Sequence, residues 1–356
     1  MIPRVVANID LGALRRNLNL IASLAPNAKV LGVVKADAYG HGIKQVLSSL
    51  AACDALAVAR IEEAILLRES GYLRPIVLLS GVLDFDELIL AQDNHLDLVV
   101  HQDFQIELLR RLSGGSKLRV WAKFDSGMHR LGFSSDFAAK LALIESFEVV
   151  DSIVTMTHFA SADELNNDFS IDQLQRFDTA CSEIRHPQST ANSAAILRYP
   201  FSHRDWIRPG LLMYGVSPSR QIPFEGEPVM TLTSVVIAVN DVLAGESVGY
   251  GQVWTAQNNT RLAVIAIGYG DGYPRHAKQG TPIMINGKRY PIVGRVSMDL
   301  TTIDIGNDDI KVGDVAEIWG KSLAVADVAE NAGTIAYELL LNLTSRVLIR
   351  YHDQVN

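Results

Sequence analysis

From about residue 10 to about residue 225, short apolar runs alternate with stretches whose apolar residues recur at helical spacing. The runs read VLGVVKA, ALAVA, IVLLSG, DLVV, LRVWAKFD, IVTMTHF, STANSA and WIRPGLLMYG. Between them, LGALRRNLNLIASL after Asp10, IEEAILLRE after Arg60 and DFQIELLRRL after Gln102 read as helices, with Asp10 and Asp103 as N-caps. Apolar strands separated by helices are what a parallel sheet covered on both faces requires. Eight such runs predict an α/β fold, a closed (β/α)8 barrel, rather than an open doubly wound sheet. The glycine-rich signatures of the open sheet are missing: GYGDGY at 268–273 is not GxGxxG, and no GxxxxGK followed by Ser or Thr occurs.

After about residue 228 the texture changes. TLTSVVIAV, LAVIAIGYG, PIMINGKRYPIVG and TTIDIG are strand-like, and Asn286-Gly287 between two apolar stretches predicts a hairpin. AVADVAENA and AYELLLNL read as helices. QIPFEGEPVM, with Pro223, Gly226 and Pro228, reads as the connection. The expected division is therefore a barrel over residues 1–227 and a mostly β C-terminal domain over 228–356.

Composition narrows the function. A length of 356 residues suggests two domains at roughly 150 residues each. Lys plus Arg is 32 and Asp plus Glu is 40, a net charge of −8, which speaks against the basic footprint of a nucleic-acid binder. Cys53 and Cys181, both in predicted helices, are too few for a disulfide framework or a four-cysteine zinc site. No apolar run approaches the roughly 18 residues of a membrane span. The start, MIPRVVANIDLG, does not read as a secretion signal, so cytoplasmic residence is expected. The nine histidines form no HExxH spacing, no GxSxG elbow occurs, and no catalytic metal is expected.

Barrel chemistry sits where strands end. Lys35 ends LGVVK, Lys123 and Asp125 end VWAKFD, His158 ends IVTMTH, Asn192 and Ser193 lie in the seventh run, and Arg208 opens RPGLLMYG. Any one alone reads as a surface ion pair or a satisfied core residue; together they read as a site. Lys35, Lys123, Arg130 and Arg208 are cationic in an acidic chain, and 193–211 covers the ends of the last two runs, where barrels bind phosphate. A desolvated lysine beside cations becomes nucleophilic and forms a Schiff base with an aldehyde. Pyridoxal 5'-phosphate has both the aldehyde and the phosphate.

The motifs resemble those of alanine racemases. VVKADAYGHG (33–42), WAKFDSGMHRLGF (121–133), THFASAD (157–163), NSAA (192–195), WIRPGLLMYG (206–215), VGYG (248–251), AIGYGDGYPR (266–275) and GRVSMDL (294–300) follow the family order over nearly the whole chain. The resemblance implies that Lys35 holds pyridoxal 5'-phosphate. Tyr39, Ser193, the backbone of Gly210 and Leu211, and Tyr337 would contact its phosphate. Arg208 would face the pyridine nitrogen, braced by His158. Arg130 and the backbone of Met298 would bind the carboxylate of alanine. Lys123 would be open to carbamylation and would orient Arg130. Tyr250, Tyr269, Arg295 and Asp299 would come from a C-terminal domain that reaches the partner's active site in a homodimer. Ser126 and His129 stand where many members have Thr and Asn.

The implied isomerase needs two acid–base groups, because one fixed base reaches one face of Cα. Lys35 would serve the D-face and Tyr250 the L-face. Alternatives are a racemase of broader specificity and a barrel decarboxylase using the same cofactor. Decarboxylases resemble this layout with an acid at the pyridine nitrogen and a cysteine in the C-terminal domain; here Arg208 takes the first place and no cysteine follows residue 181. A non-catalytic carrier of the cofactor would lack VGYG. The use of the product, for wall synthesis or for alanine breakdown, stays open.

Overall fold

The computed structural model describes residues 3–353; Met1 and Ile2 of the opening stretch, and the last three residues, lie outside the described residues. The chain divides into two compact units. One takes Arg15–Met213 and Ser217–Phe224; the other takes the chain before Arg15, Tyr214–Val216 and the chain from Glu225 on. The first strand, β1 (Val5–Asp10), thus belongs with the second unit.

In the first unit β2 (Lys29–Val33), β3 (Ala55–Val58), β4 (Ile76–Leu78), β5 (Asp97–Val100), β6 (Leu118–Lys123), β7 (Val150–Met156), β8 (Gln188–Ser189) and β9 (Trp206–Ile207) form one parallel sheet. β2 pairs with β9, and a parallel bridge between Asn192 and Arg208 brings β9 back beside β8. The eight strands are the eight apolar runs. Barrel closure leaves the strands nearly dry, which is why they read as continuous apolar stretches. The register of β5 and β6 sets Val99 against Trp121. Asp97 Oδ2 accepts from Arg119 Nη1 (3.3 Å) and Trp121 Nε1 (3.2 Å), so odd positions of both strands face the barrel interior. Trp121 meets Trp206 edge-on at 5.3 Å across that interior.

The helices follow the expected spacing. In Leu11–Leu24, Leu14, Leu18 and Ile21 are fully buried, and Asp10 Oδ1 caps the start by accepting from Ala13 N (3.0 Å). Asp103 is not a cap: the helix Asp103–Arg111 begins with it, and Gln102 precedes it. There Gln105 Oε1 turns back to accept from His101 N (2.8 Å) and Gln102 N (3.3 Å). The cysteines are buried, but Cys53 lies in the loop before β3 and Cys181 just past the helix Phe169–Ala180.

The second unit is mostly β, as its pattern predicts. Its long strand β10 (Met230–Val242) pairs antiparallel with β1, Val5 opposite Ser234, and β1 pairs in parallel with a strand at Leu348–His352. β1 is therefore a central strand whose two neighbours lie more than 200 residues along the chain, which local pattern does not reveal. Its placement differs from the boundary expected at 227. Pro282–Ile285 and Lys288–Pro291 form the expected hairpin, with Asn286 at φ 49° and Gly287 at φ 77°. Two positive φ values are what a two-residue turn of the right twist requires.

Candidate active site

β2 delivers Lys35 to the end of the barrel, two residues past its last strand position. The side chain opens to solvent at the rim, yet desolvation by its surroundings and the charge of Arg130 lower its amine pKa against the opposing pull of Glu63. Beyond it the backbone does something the sequence did not announce. Ala36, Asp37, Ala38 and Tyr39 hold φ between 52° and 55°, a left-handed turn made without glycine. Such a conformation costs roughly 1–2 kcal/mol per residue, and strain of this kind is found at functional sites. Side chains hold it: Glu63 Oε1 accepts from Ala36 N (2.5 Å) and Asp37 Oδ1 from Ile43 N (2.7 Å).

The turn carries Tyr39 to the end of β9. A Cβ placed on Gly210 would lie 2.5 Å from Tyr39 Oη, so only glycine leaves room for that hydroxyl. Ser193 opens the short helix Ser193–Arg198 after β8, and its Oγ accepts from Gly210 N (2.9 Å). Tyr39, Ser193 and Gly210 thus meet at the ends of the last two barrel strands, and Leu211 follows, buried.

Arg208 is 4% exposed. Its Nη1 donates to Ser189 Oγ (2.8 Å) and its Nη2 to the carbonyls of Thr157 (2.7 Å) and Thr190 (3.3 Å). Nη2 also reaches His158 Nδ1 (3.3 Å), which must accept, so His158 carries its proton on Nε2. Nε takes part in none of these contacts. Burial alone lowers the guanidinium pKa to about 10. Burial and then the charges of Arg208, Lys123, Arg130 and Lys35 hold His158 neutral.

Lys123 ends β6 and is 8% exposed. Burial first, then Arg208 and Arg130, bring its amine to about 8, against the opposing charge of Asp125. The loop beyond it is pinched where Asp125 N donates to Phe133 O (2.9 Å) and Phe133 N to Lys123 O (2.9 Å). Asp125 Oδ1 accepts from Gly127 N and His129 N, both at 3.0 Å, and Oδ2 lies 3.1 Å from His129 Nδ1. Arg130 rides this loop, exposed, and its charge is felt at Lys35, Lys123 and His158. The structure thus brings Lys35, Lys123, Arg130, His158 and Arg208 into one cationic rim.

The remaining residues expected from the sequence belong to the β-rich unit. Tyr250 stands 72% exposed on a tight turn, Tyr250–Gln252, flanked by Gly249 at φ 71° and Gly251 at φ 72°. The Arg295 guanidinium packs under that turn, about where a Cβ on Gly251 would touch it at 3.4 Å. Tyr269 and Met298 are exposed, and their segments are tied by Tyr269 N to Ser297 O (3.0 Å) and Gly270 N to Met298 O (2.8 Å). Arg346 Nη2 donates to Asp299 Oδ1 (2.7 Å) and its Nε to buried Asp271 (3.2 Å). Tyr337 lies on the helix Ala336–Leu341. Tyr273, by contrast, is core, stacked on Trp319.

Sequence reading missed the residues that hold the others. Glu63, Ser189, Thr157 and Gln173 act through hydrogen bonds to strand ends and loops. Gln173 Nε2 donates to His158 O (3.1 Å) and its Oε1 accepts from Ala160 N (2.8 Å). No spacing pattern marks such contacts; the weak signal was Glu63 at the start of IEEAILLRE, a position that favours a cap.

A closed barrel with Lys35, Lys123, Arg130 and Arg208 gathered at its strand ends defines a (β/α)8 protein with one cationic site. Among the described residues no group of three or more His, Cys, Asp or Glu could hold a metal ion. The N-terminal domain model of alanine racemases matches residues 9–218 and the C-terminal domain model residues 229–351. The chain belongs to the alanine racemase family, whose members are amino-acid isomerases. It is 47% identical over 353 residues to the alanine racemase of Vibrio atlanticus, covering 97% of this chain and 98% of that one. The biosynthetic alanine racemase of Pseudomonas aeruginosa superposes with a TM-score of 0.95 at 40% identity, covering 99% of this chain and 100% of that one. The alanine racemase of Bartonella henselae with covalently bound pyridoxal phosphate gives 0.89 at 28% identity, over 99% and 100% of the two chains. No helix among the described residues is long and apolar enough to cross a membrane.

Proposed function

We propose that the chain interconverts L-alanine and D-alanine as a cytoplasmic homodimer, with Lys35 holding pyridoxal 5'-phosphate. The residues present fit that group. Gly210 leaves room for the Tyr39 hydroxyl beside Ser193, a cradle of phosphate donors. The Lys35 amine is lowered toward its nucleophilic form. When bound, the cofactor supplies the electron sink that makes the α-proton of alanine removable.

The chain's own residues do the rest. Lys35 Nζ takes and returns the proton on the D-face, and Tyr250 Oη, supplied across the dimer, does so on the L-face. Arg130 and the backbone of Met298 hold the carboxylate. Tyr337 and the backbone of Leu211 complete the phosphate contacts, and Tyr269, Arg295 and Asp299 act as supporting residues supplied across the dimer. Lys123, with an amine near pH 8, is partly neutral at cellular pH. Its Nζ can then add to carbon dioxide and lose a proton, which gives an anion to orient Arg130.

The observation that carries the reading is Arg208, buried and met by carbonyls, a hydroxyl and an imidazole. A guanidinium does not readily hand its proton to a ring nitrogen, even at about 10. Electron density would then be kept near Cα, which would favour reprotonation there over the protonation at the cofactor carbon that leads to transamination.

The test is incubation of the purified protein with single enantiomers of alanine, serine and other amino acids in deuterated water, followed by chiral separation. Alanine of either hand is expected to racemise, and carbon dioxide release would instead support a decarboxylase. Tyr250→Phe should stop exchange from L-alanine while exchange from D-alanine persists; equal loss of both in a folded dimer overturns the two-base assignment.

A further inference from the structure

We propose that Gln173 is a positioning residue: one buried amide ties the loop that carries Arg130 to the segment that carries His158, and so fixes Arg130 relative to the His158–Arg208 pair. The inference rests on the roles given above to Arg130 and Arg208.

The helix Phe169–Ala180 buries Ser170, Gln173, Leu174 and Phe177, one stripe at helical spacing. Gln173 is fully buried within that stripe, where an apolar residue would be expected. An amide in such a place is costly unless its polar atoms are bonded. Here both ends are. Its Oε1 accepts from Ala160 N (2.8 Å), and its Nε2 donates to the carbonyl oxygen of His158 (3.1 Å) and to Ser126 Oγ (3.3 Å). A backbone N–H only donates and a carbonyl only accepts, so the amide has a single orientation that satisfies both.

Those bonds join two loops that leave the neighbouring strands β6 and β7. Between the two chains the backbone ladder runs out at Phe124 N to Met156 O (2.9 Å); beyond it, side chains make the connection. Ser126 opens the loop that carries Arg130 and is itself buried. With Gln173 donating to its oxygen, the Ser126 hydroxyl is left to donate to Thr157 Oγ1 (2.7 Å). The same helix grips this loop one turn further on. Arg176 Nη1 donates to Ser126 O (3.4 Å), and a Cβ on Gly127 would lie 2.9 Å from the Phe169 ring. On the other side, Thr157 O and His158 Nδ1 both accept from Arg208 Nη2, at 2.7 and 3.3 Å. A continuous path of hydrogen bonds therefore runs from the base of the Arg130 loop, by way of Gln173 and Thr157, to Arg208.

The test separates the branches. Gln173→Met keeps the length and bulk and removes every bond of the amide. Ser126→Ala removes only the branch toward Arg130, and Ser126→Thr keeps its hydroxyl. Hydrogen exchange of the holoenzyme, read by mass spectrometry over 126–133 and over 157–162, reports the two loops separately. Gln173→Met should speed exchange about two- to tenfold in both, the equivalent of one hydrogen bond. Ser126→Ala should do so over 126–133, and Ser126→Thr should match the wild type. The KM for alanine should rise by a similar factor in Ser126→Ala with kcat little changed, the mark of a weaker hold on substrate and transition state alike. Ser126→Thr should leave KM where it is. If Gln173→Met loosened one loop without the other, or if Ser126→Thr lost as much as Ser126→Ala, the proposal would be overturned. Should Gln173→Met not fold, Ser126→Ala decides: faster exchange over 126–133 with a raised KM supports the tie, and wild-type values overturn it. Exchange does not depend on racemisation, so a protein that left alanine unchanged would still show whether the two loops are joined.

Discussion

Lys123 holds its charge where three other cations compete for the same space. Its amine falls from 10.5 to about 8, chiefly through burial. Between those values the unfolded chain binds more protons than the folded one, so this group's contribution to stability rises with pH across the window. Below about pH 8 both states are protonated and the penalty is constant. Lys123→Met, of similar length and without charge, is therefore expected to be more stable than the wild type below pH 8 in carbon-dioxide-free buffer. The gap is about 3 kcal/mol, the free-energy equivalent of the lowered pKa. It should close between pH 8 and 10.5. Urea unfolding midpoints of both proteins at half-unit pH steps check this, and a gap that ignores pH would refute it. At this scale the sequence was legible for the polar groups gathered at the strand ends and blind to their supports. Lys35, Lys123, His158 and Arg208 stand out because polar residues interrupt apolar strands. Ser189 and Thr157, which hold Arg208, are ordinary small polar residues in ordinary strand ends.

The eight barrel strands were legible because closure dries both faces of the sheet, and an apolar run is the direct imprint of that. The turn from Ala36 to Tyr39 was not, since KADAYG carries no glycine at the positions where φ turns positive. Its hand is imposed by contacts distant in sequence: Glu63 on Ala36 N, and the space above Gly210 into which Tyr39 fits. Gly210→Ala tests that dependence. The added Cβ meets the Tyr39 hydroxyl at 2.5 Å and its ring carbon at 3.1 Å, so the tyrosine must withdraw. Overpacking of this kind costs about 1–3 kcal/mol. Reconstitution of the apoprotein followed by absorbance should show cofactor affinity falling by about 5- to 150-fold, the equivalent of that cost. Tyr39→Phe combined with Gly210→Ala should recover part of the folding stability lost to the clash, read by urea unfolding of the apoprotein, because the nearest clashing atom is gone while the phosphate contact is not part of that measurement. Recovery to no degree would mean that Tyr39 is not what the glycine accommodates.

The path of the chain explains why a domain boundary is harder to read than a strand. The chain starts in the β-rich unit, leaves to build the barrel, and returns after Phe224. Composition marks the return, through Pro223, Gly226 and Pro228, but nothing in VVANID says that its partners lie past residue 228. β1 is bonded on both sides, to Met230–Ser234 and to Leu348–His352, so its backbone closes the sheet from the opposite end of the sequence. Ala7 is fully buried and pairs with Leu232 and Ile349. Proline there removes a ladder hydrogen bond in a central strand, where proline is essentially not found. Ala7→Pro should therefore loosen the β-rich unit although it lies early in the chain. Hydrogen exchange read by mass spectrometry is expected to speed up in Met230–Ser234 and Leu348–His352, while Ile76–Leu78 and Asp97–Val100 of the barrel stay protected. If the barrel strands loosened and the late strands did not, the first strand would belong energetically to the barrel. The sheet pairing would then not describe where its stability goes.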